Sequence, residues 1–481
     1  MKLLTGLLFL LCSIQVTAQQ ILFSSSENFD FRNGDYSVVG KVEGKLYTYR
    51  AGNDGYFLDA YDDSMKRTAT VVLDFFPAKI YQTQFITYPD KIIVLYQANE
   101  RGKIIQYAAR LNAKGLLQGK PIILDDARTS IFGASGNYFS STISEDKKMI
   151  AIYSASSKGR RVNVSCSLLN EFLEKQGHFE KKYEGESSLN PLPALLDNDG
   201  NFYLPLSSNS GSNSYSDGVW LLKMEKGGTR FTSHALNLNG NFASGLFFKI
   251  DNNTKHLYAV GFYADKRNSS YDGVLFSKMN LDSLNASPAR LLAFNDKLKE
   301  ATGHGKRRAF NDYQSRQLII RNDGGFVLVA EEYYTSYRNI GMGYGGYYSA
   351  YYSPFMNTQT IREYHYGDIV ALSYDAAGNR EFSSFIRKDQ YSEEDGGAFS
   401  SYTFINSGGS LGFLYNDYDN RRSQITFAAV DATGRIDTHG LYSVGSSDPD
   451  WLPKAGKQVS ARELVVPCLR KKQICFAKVV F

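Results

Sequence analysis

The stretch "KMIAIYSASSKGRRVNVSCSLLNE", residues 148–171, contains two short apolar runs that are joined by a polar turn around Gly159. The runs are rich in Val, Ile, Leu and Tyr and have no helical periodicity, so they predict two antiparallel strands of a hairpin. Runs that are apolar at nearly every position are typical of strands that neighbouring sheets cover on both faces. The hairpin therefore indicates the interior of a layered all-β protein.

The same plan recurs along the whole chain, which indicates an internal repeat. Copies lie at 91–115, 201–228, 256–282 and 410–434, and a shorter copy lies at 462–481. When the second run of each pair is indexed by its first apolar residue, the runs begin at Tyr56, Ile104, Val162, Val219, Val274, Ile369, Ile425 and Ile474. The spacings between these starts are 48, 58, 57, 55, 95, 56 and 49 residues. The spacing of 95 residues, between Val274 and Ile369, is much longer than the others, so one repeat contains an insertion there.

Each unit also has a strand-like run before the pair and a weaker run after it. The first ends in a turn of the Asn/Asp/Gly type, as in "LPALLDNDG", and the last follows a similar turn, as in "REFSSFIRK" after "DAAGN". Four antiparallel strands per unit, repeated in tandem without helices, predict an all-β fold consisting of a single β-propeller with four-stranded antiparallel blades. The eight indexed runs favour eight blades. Because the first unit, 36–74, is short, seven blades is the alternative.

The two ends of the chain suggest how the ring closes. The last unit stops at its third strand, at Phe481, whereas the N-terminal run "QILFSSSENF" at 20–29 belongs to no unit. We therefore expect the N-terminal strand to fill the missing outer place of the last blade.

The repeats resemble those of bacterial secreted β-propeller proteins, in which strand pairs are joined by turns such as "YDAAGN", "VDATGR" and "LNAKGL". The resemblance covers most of the mature chain. It implies a fold and carries no functional residues with it, because propellers serve as lectins, hydrolases, scaffolds and assembly factors.

The first eighteen residues, "MKLLTGLLFLLCSIQVTA", have the pattern of a secretory signal peptide. Lys2 is the basic region, the apolar core is too short to span a bilayer comfortably, and Val16 to Ala18 form a small-residue cleavage pattern. We expect cleavage after Ala18 and a propeller domain over 19–481, without a later transmembrane segment. The protein is then exported to the periplasm, the cell surface or the medium.

Signal removal leaves three cysteines. Cys468 and Cys475 lie at the two ends of a short turn between two predicted strands, so a disulfide between them is sterically allowed. The alternative is two unpaired core thiols. Cys166 shares a strand face with apolar residues and is predicted to be a small buried side chain.

Charge and motifs argue against several functions. The net charge of +5 is spread over interspersed acidic and basic residues, which predicts a solvated surface and no nucleic-acid partner. The chain contains no HExxH, GxSxG, CxxC or phosphate-binding glycine motif, so we predict no metal site, no cofactor and no catalytic residues. Residues gathered from several blades would escape such a search, so an enzyme is disfavoured but still open.

A tyrosine next to an aspartate recurs just before three indexed strands. The pairs are Tyr215 with Asp217, Tyr271 with Asp272, and Tyr366 with Asp368. We expect the aspartates to bond backbone N–H groups of loops, and the tyrosines to pack on neighbouring blades.

The insertion extends from about 333 to 366 and contains ten tyrosines among glycines and small polar residues. We predict that it is a loop between the second and third strands of its blade. Tyrosine combines a rigid apolar surface with a hydroxyl, which is a composition that antibody paratopes use for binding. The predicted binding residues are Tyr337, Tyr344, Tyr347, Tyr348, Tyr351 and Tyr352. The alternative is a loop that folds back and caps its own propeller.

Two functions follow. The first is a non-catalytic interaction module or subunit of a bacterial cell-envelope assembly, which docks on another envelope or secreted protein through the aromatic loop. The second is a carbohydrate-binding or glycan-cleaving propeller with its site at the channel mouth. In that case carboxylates such as Asp217, Asp272, Glu331 and Glu332 would lie near the sugar. No acidic constellation stands out, so we favour the first.

Overall fold

Eight antiparallel sheets follow one another in a computed structural model that describes residues 19–128, 138–208, 215–267, 269–284, 288–339, 360–419 and 422–481. The predicted signal peptide lies outside these residues. Two short strands come first, β1 (Gln20–Phe23) and β2 (Glu27–Asn28), and neither belongs to the first sheet.

The first four blades are continuous meanders, apart from one divided inner strand. Blade 1 consists of β3 (Asp35–Val42), β4 (Lys45–Gly52), β5 (Gly55–Tyr61) and β6 (Arg67–Val72). Blade 2 consists of β7 (Ile80–Thr87), β8 (Lys91–Glu100), β9 (Lys103–Asn112) and β10 (Ile122–Arg128). Blade 3 consists of β11 (Ser140–Ile143), β12 (Met149–Lys158), β13 (Arg161–Asn170) and β14 (Lys175–Glu184). Blade 4 has a first strand in two pieces, β15 (Leu189–Pro191) and β16 (Leu195–Leu196), followed by β17 (Phe202–Ser208), β18 (Val219–Met224) and β19 (Thr232–Leu236).

The last four blades repeat this plan with additions. Blade 5 consists of β20 (Phe242–Asp251), β21 (His256–Ala264), β22 (Gly273–Asn280) and β23 (Arg290–Ala293), and the helix α1 (Asp296–Ala301) follows it. Blade 6 consists of β24 (Tyr313–Ile320), β25 (Phe326–Asn339), β26 (Thr360–Tyr374) and β27 (Arg380–Ile386), with β28 (Gln390–Glu393) added beside β26. Blade 7 consists of β29 (Tyr402–Asn406), β30 (Ser410–Asp419), β31 (Arg422–Asp431) and β32 (Ile436–Ser443). Blade 8 begins with β33 (Asp450–Trp451), a 3-10 turn (Pro453–Ala455) and β34 (Lys457–Ser460), and continues with β35 (Glu463–Arg470) and β36 (Gln473–Val480).

The architecture is an eight-bladed β-propeller, as the repeat predicts. Each of the eight indexed residues lies in the third strand of its blade, from Tyr56 in β5 to Ile474 in β36. The short first unit forms a complete four-stranded blade, so the seven-blade alternative is wrong. The first strands of neighbouring blades contact one another, for example β20 with β24 and β3 with β34, and therefore form the inner wall of the ring.

The hydrophobic core lies between consecutive blades. Between blades 5 and 6, for example, Val260 and Phe262 pack in one cluster with Phe326 and Leu328. In β8 the first eight residues are all buried, because sheets cover both of its faces. This double burial explains why the middle runs of each unit are apolar at nearly every position.

The N-terminal strand closes the ring as the sequence predicts. β1 pairs antiparallel with β36, from Gln20 opposite Val480 to Phe23 opposite Ala477, and completes blade 8. The Phe23 ring then packs against Trp451 of the same blade, with 5.8 Å between the ring centroids. Glu27, which follows β1, forms an ion pair with Arg67 of blade 1, so the closing segment also holds the next blade.

The strand directions define two faces of the ring. Successive strands of a meander alternate in direction, so hairpins between second and third strands share an edge with the connections between blades. We call this edge the upper face. The hairpin of β25 and β26, which contains the predicted insertion, is at the upper face.

The described cysteines are three buried thiols. Cys468 and Cys475 lie directly opposite each other in the pairing of β35 with β36. Neither is bonded, so the disulfide stays a prediction. Cys166 is 1% exposed in a cluster with Val162, Val164 and Leu168, as expected of a core side chain.

In the part of the chain that the structure describes, no helix has the length and apolar character of a membrane span.

The closure leads to a first prediction. Phe23→Ala should lower the free energy of unfolding by about 2 kcal/mol, because it removes a partly buried ring that packs between β1 and Trp451. Urea denaturation followed by circular dichroism measures this loss. Val72→Ala is the matched control, since Val72 is 58% exposed on an outer strand and its truncation should change stability by less than about 0.5 kcal/mol. Equal effects of the two substitutions would contradict the role of β1 in closure.

Candidate docking arm on the upper face

The hairpin of β25 and β26 continues well beyond the body of blade 6. Its pairing extends from Tyr333 opposite Tyr366 to Asn339 opposite Thr360, after an irregularity in register between Glu331 and Tyr333. β28 pairs with the β26 side of this extension and makes it three-stranded. We call the residues 333–339, 360–366 and 390–393 the arm. A bulge at the root of a hairpin increases its twist and redirects it, so it separates the arm from the blade.

The ends of the predicted loop are therefore strands. Of the predicted binding tyrosines, Tyr337 lies in the arm and is 64% exposed. The other five, Tyr344, Tyr347, Tyr348, Tyr351 and Tyr352, lie outside the described residues.

One face of the arm is organised around the carboxylate of Glu363. It accepts hydrogen bonds from the Ser336 hydroxyl at 2.6 Å, from Arg338 Nε at 2.8 Å and from the Tyr391 hydroxyl at 3.0 Å. The hydrogen bond from Ser336 and that from Arg338 lower the pKa of Glu363 to about 2. This carboxylate therefore ties all three strands of the arm together.

The same face carries a strip of aromatic rings. The His365 ring stacks on Tyr334, with centroids 4.5 Å apart and planes 10° apart, and lies 5.2 Å from the Tyr391 ring. Tyr334 is 43% exposed and Tyr391 50% exposed. The strip is open to solvent although its rings are held in place by each other and by Glu363.

The opposite face contains the other tyrosines of the two long strands. Arg362 lies over the rings of Tyr337 and Tyr364, at 5.8 Å and 5.2 Å from their centroids. Tyr333 and Tyr366 pack against each other at the root, with centroids 4.6 Å apart. Both faces of the arm thus combine aromatic rings with guanidinium or carboxylate groups.

A buried ionic network holds the root of the arm. The Glu331 side chain is fully buried, and its carboxylate lies 2.9 Å from Lys388 Nζ and 3.1 Å from Arg316 Nε. The Ser401 hydroxyl donates to the same carboxylate at 2.7 Å. These partners come from the inner strand β24, from the segment after β27 and from the connection to blade 7, so one carboxylate joins the arm to two blades.

Lys388 is held at the centre of this network. Burial lowers the pKa of its ammonium group, and the neighbouring Glu331 opposes that shift. The ammonium also donates to Gln390 Oε1 at 2.9 Å and to the Tyr366 carbonyl at 3.3 Å. Its three polar contacts compensate for the loss of water around a buried charge.

The sequence contains one signal for this network. Glu331 and Glu332 directly continue the apolar run "FVLVA" of β25, which is buried throughout. Charged residues that continue a buried strand need charged partners. The partners themselves lie on other strands, and only the fold brings them together.

The carboxylates predicted to lie near a sugar have basic partners. Asp217 pairs with Arg267 at 3.0 Å, Asp272 with Lys299 at 3.4 Å, and Glu332 with His304 at 2.9 Å. Together with the buried Glu331, these residues serve as structural anchors on the upper face.

The recurrent tyrosine and aspartate pairs behave largely as expected. Asp272 accepts a hydrogen bond from the backbone N–H of Asp265 at 3.0 Å, and Asp368 accepts one from Lys388 at 3.2 Å. Asp217 accepts a hydrogen bond from the Ser208 hydroxyl. Tyr271 packs in the cluster between blades 5 and 6, and the Tyr215 hydroxyl donates to the Ser269 carbonyl of blade 5.

No cluster of three His, Cys, Asp or Glu side chains that could hold a metal ion occurs among the described residues.

Comparison with known proteins finds similar solved structures. No protein-family profile matches the chain, and no curated protein sequence matches it. Among solved structures, the chain is similar to the WD40 domain of SCAP from fission yeast, with 9% identity, a TM-score of 0.42 and coverage of 96% of this chain and 98% of the other. It is also similar to an oligogalacturonate lyase in complex with manganese, with 10% identity, a TM-score of 0.40 and coverage of 96% and 97%. For prolyl oligopeptidase B from Galerina marginata the identity is 10%, the TM-score 0.43 and the coverage 91% of this chain and 55% of the other.

The buried network leads to a second prediction. Lys388→Met should lower the free energy of unfolding by about 3 kcal/mol, because it leaves the Glu331 carboxylate buried with fewer compensating partners. Adding Glu331→Gln should recover part of the loss, which a double-mutant cycle by urea denaturation measures. Lys306→Met is the control, because Lys306 is 49% exposed in its ion pairs and its substitution should leave the stability nearly unchanged. Strictly additive effects of the two core substitutions would contradict a coupled pair.

A third prediction concerns the pH dependence of the arm. The pKa of Glu363 is lowered from 4.5 to about 2, so its stabilising effect is fully present above pH 4.5 and is lost as the pH falls towards 2. An NMR titration with isotope-labelled glutamate should therefore show one carboxylate with a midpoint near pH 2, and Glu363→Gln should remove that signal. A Glu363 midpoint at its ordinary value of 4.5 would show that the contacts to Ser336 and Arg338 are absent in solution.

Proposed function

We propose that the protein is an exported, non-catalytic interaction module or subunit of a bacterial cell-envelope assembly, which docks on another protein through its arm. The observation that carries this proposal is the concentration of exposed rings on the arm. Three of the nine large apolar side chains that are exposed in the described residues lie there, Tyr334, Tyr337 and Tyr391. Large aromatic side chains near guanidinium groups are the most frequent hot spots of protein interfaces.

The rigid structure of the arm favours binding because it lowers the conformational entropy that is lost when a partner binds. The rings of the aromatic strip are already fixed by stacking on His365 and by the hydrogen bonds around Glu363. The root is fixed by the buried network around Glu331. A preorganised surface loses less conformational freedom when it binds, so more of its contact energy contributes to affinity.

A non-catalytic role agrees with the chemistry of the upper face. Of the carboxylates predicted to lie near a sugar, Asp217 pairs with Arg267, Asp272 pairs with Lys299, and Glu331 is buried. A glycan-cleaving enzyme needs two carboxyl groups that face a substrate. Export to the envelope is supported by the signal-peptide pattern over residues 1–18.

Glycan binding is the second candidate, favoured by the exposed strip of Tyr334, His365 and Tyr391. Flat aromatic surfaces next to hydrogen-bonding groups are suited to sugar rings as well as to proteins.

The test compares two arm variants in affinity capture from envelope extracts of the native cells. The first replaces 340–359 by Asn-Gly, which the antiparallel pair Asn339 and Thr360 can accept as a two-residue turn. The second is the triple substitution of Tyr334, Tyr337 and Tyr391 by Ser. We expect at least one partner of the unmodified protein to be lost or reduced tenfold with each variant, as measured by quantitative mass spectrometry and then by calorimetry with the purified partner.

Phe172→Ser serves as the matched control, because Phe172 is 50% exposed, like Tyr391, but follows β13 on the lower face. Circular dichroism establishes that each variant is folded. Folded arm variants that retain every partner would disprove the docking function. Binding of the intact protein to a glycan array, lost in the triple Tyr variant, would instead establish the second candidate.

A further inference from the structure

A cavity of about 290 Å³ lies at the root of the arm, between β28, blade 7 and the first strand of blade 8. Its volume corresponds to the share of about ten water molecules in the liquid, so it is larger than a hydration site. It is lined by aromatic residues of all three parts, among them Tyr391, Phe399 and Trp451, and by the carboxylates Asp395 and Asp450.

The two carboxylates leave acceptor oxygens free for a ligand. Asp395 receives hydrogen bonds on one oxygen, Oδ1, from the Ser392 hydroxyl at 2.7 Å and from the Gly397 N–H at 2.8 Å. Asp450 is exposed, and its side chain has neither a hydrogen bond nor an ion pair within the described ranges. A carboxylate forms its strongest hydrogen bonds with a charged donor.

Among the lining residues that the structure describes, no Lys, Arg or His supplies such a donor. The nearby Lys454 is directed elsewhere, since its ammonium donates to the Tyr366 hydroxyl at 3.1 Å and to the Gly396 carbonyl at 3.4 Å. The described lining is therefore anionic, which favours a cationic ligand.

The aromatic lining residues indicate the chemical class of the ligand. Trp451 is 1% exposed and fixed by the Phe23 and Tyr442 rings, at 5.8 Å and 6.2 Å, whereas Tyr391 belongs to the solvent-exposed strip of the arm. Rigid aromatic faces next to carboxylates suit organic cations, which bind both to the π-system and to the negative charge. A small metal ion prefers oxygen ligands and water to ring faces, and the carboxylates would repel an anion.

We propose that this cavity binds a lysine or arginine side chain of the protein on which the arm docks. The inference rests on the proposed docking function and names the group that the partner inserts. The cavity adjoins the arm through Tyr391, so a chain lying along the aromatic strip reaches it directly. A desolvated basic side chain in such a pocket is a typical interface anchor.

The test uses the two tryptophans of the chain, Trp220 and Trp451. In a Trp220→Phe background, Trp451 is the sole tryptophan, so its fluorescence reports on the cavity. The probes are N-acetyl-arginine amide and N-acetyl-lysine amide. N-acetyl-citrulline amide is the uncharged analogue of the arginine probe, and methyl glucoside represents neutral sugars. We expect saturable binding of both cationic probes and at least tenfold weaker binding of the citrulline analogue.

Asp450→Asn should weaken binding of the arginine probe at least fivefold. Asp437→Asn is the matched control, because it makes the same charge change at an exposed position of the outer strand β32 and should leave the affinity unchanged. Equal affinity for the arginine and citrulline probes, or no effect of Asp450→Asn in a protein that is still folded, would overturn the proposal. Binding of methyl glucoside without binding of the cations would overturn it as well.

These titrations need no partner protein, so they separate the two proposals. If the probes bind saturably but the arm variants capture the same partners as the unmodified protein, cation binding in the cavity is supported and docking through the arm is rejected. Loss of partners in the arm variants without any binding of cationic probes would support docking and reject the pocket.

Discussion

Every sheet of this protein depends on a neighbour for the burial of both faces. A blade such as β7 to β10 has middle strands that are apolar on both sides, so an unpaired blade would expose two hydrophobic surfaces. Only a closed ring buries both faces of all eight sheets. The pairing of β1 with β36, reinforced by Phe23 and by the ion pair of Glu27, is therefore the constraint on which the rest of the structure depends.

The ring in turn makes the arm possible. An isolated hairpin is only marginally stable in water. Here the hairpin of β25 and β26 begins as part of a packed blade, and its root is fixed by the carboxylate of Glu331. Buried ion pairs often contribute little net stability, but they fix a specific geometry when every member has a partner. This network determines where the arm leaves the upper face.

Much of the fold was predictable because every blade repeats the same pattern of apolar strands. The spacing of the runs at Tyr56 to Ile474 reports a strand arrangement that each blade reproduces, so errors in one unit are corrected by the others. The closing strand was predictable for the same reason, since one unit lacked a strand and one strand lacked a unit. The strands of the arm were not predictable, because tyrosine and glycine in a single insertion have no second copy to compare with.

The candidate site was less accessible to sequence analysis. Tyr337 was recognised from composition, but Tyr334, Glu363 and Tyr391 come from three strands and form one surface only through the pairing of β28 with β26. The partners of Glu331 come from three separate segments of the chain, and the cavity between Tyr391 and Trp451 joins residues from three blades. Contacts of this kind produce no periodic pattern in the sequence.

The closing pair has a further consequence for biogenesis. Ser24 and Phe476, which are hydrogen-bonded to each other, are 452 positions apart, so a ribosome completes one partner long before the other. Bringing such distant segments together is entropically costly and slow. During this interval β1 has no strand to pair with, and its unpaired backbone groups can bind foreign strands. Newly made molecules must therefore be kept apart from one another until the final segment has emerged.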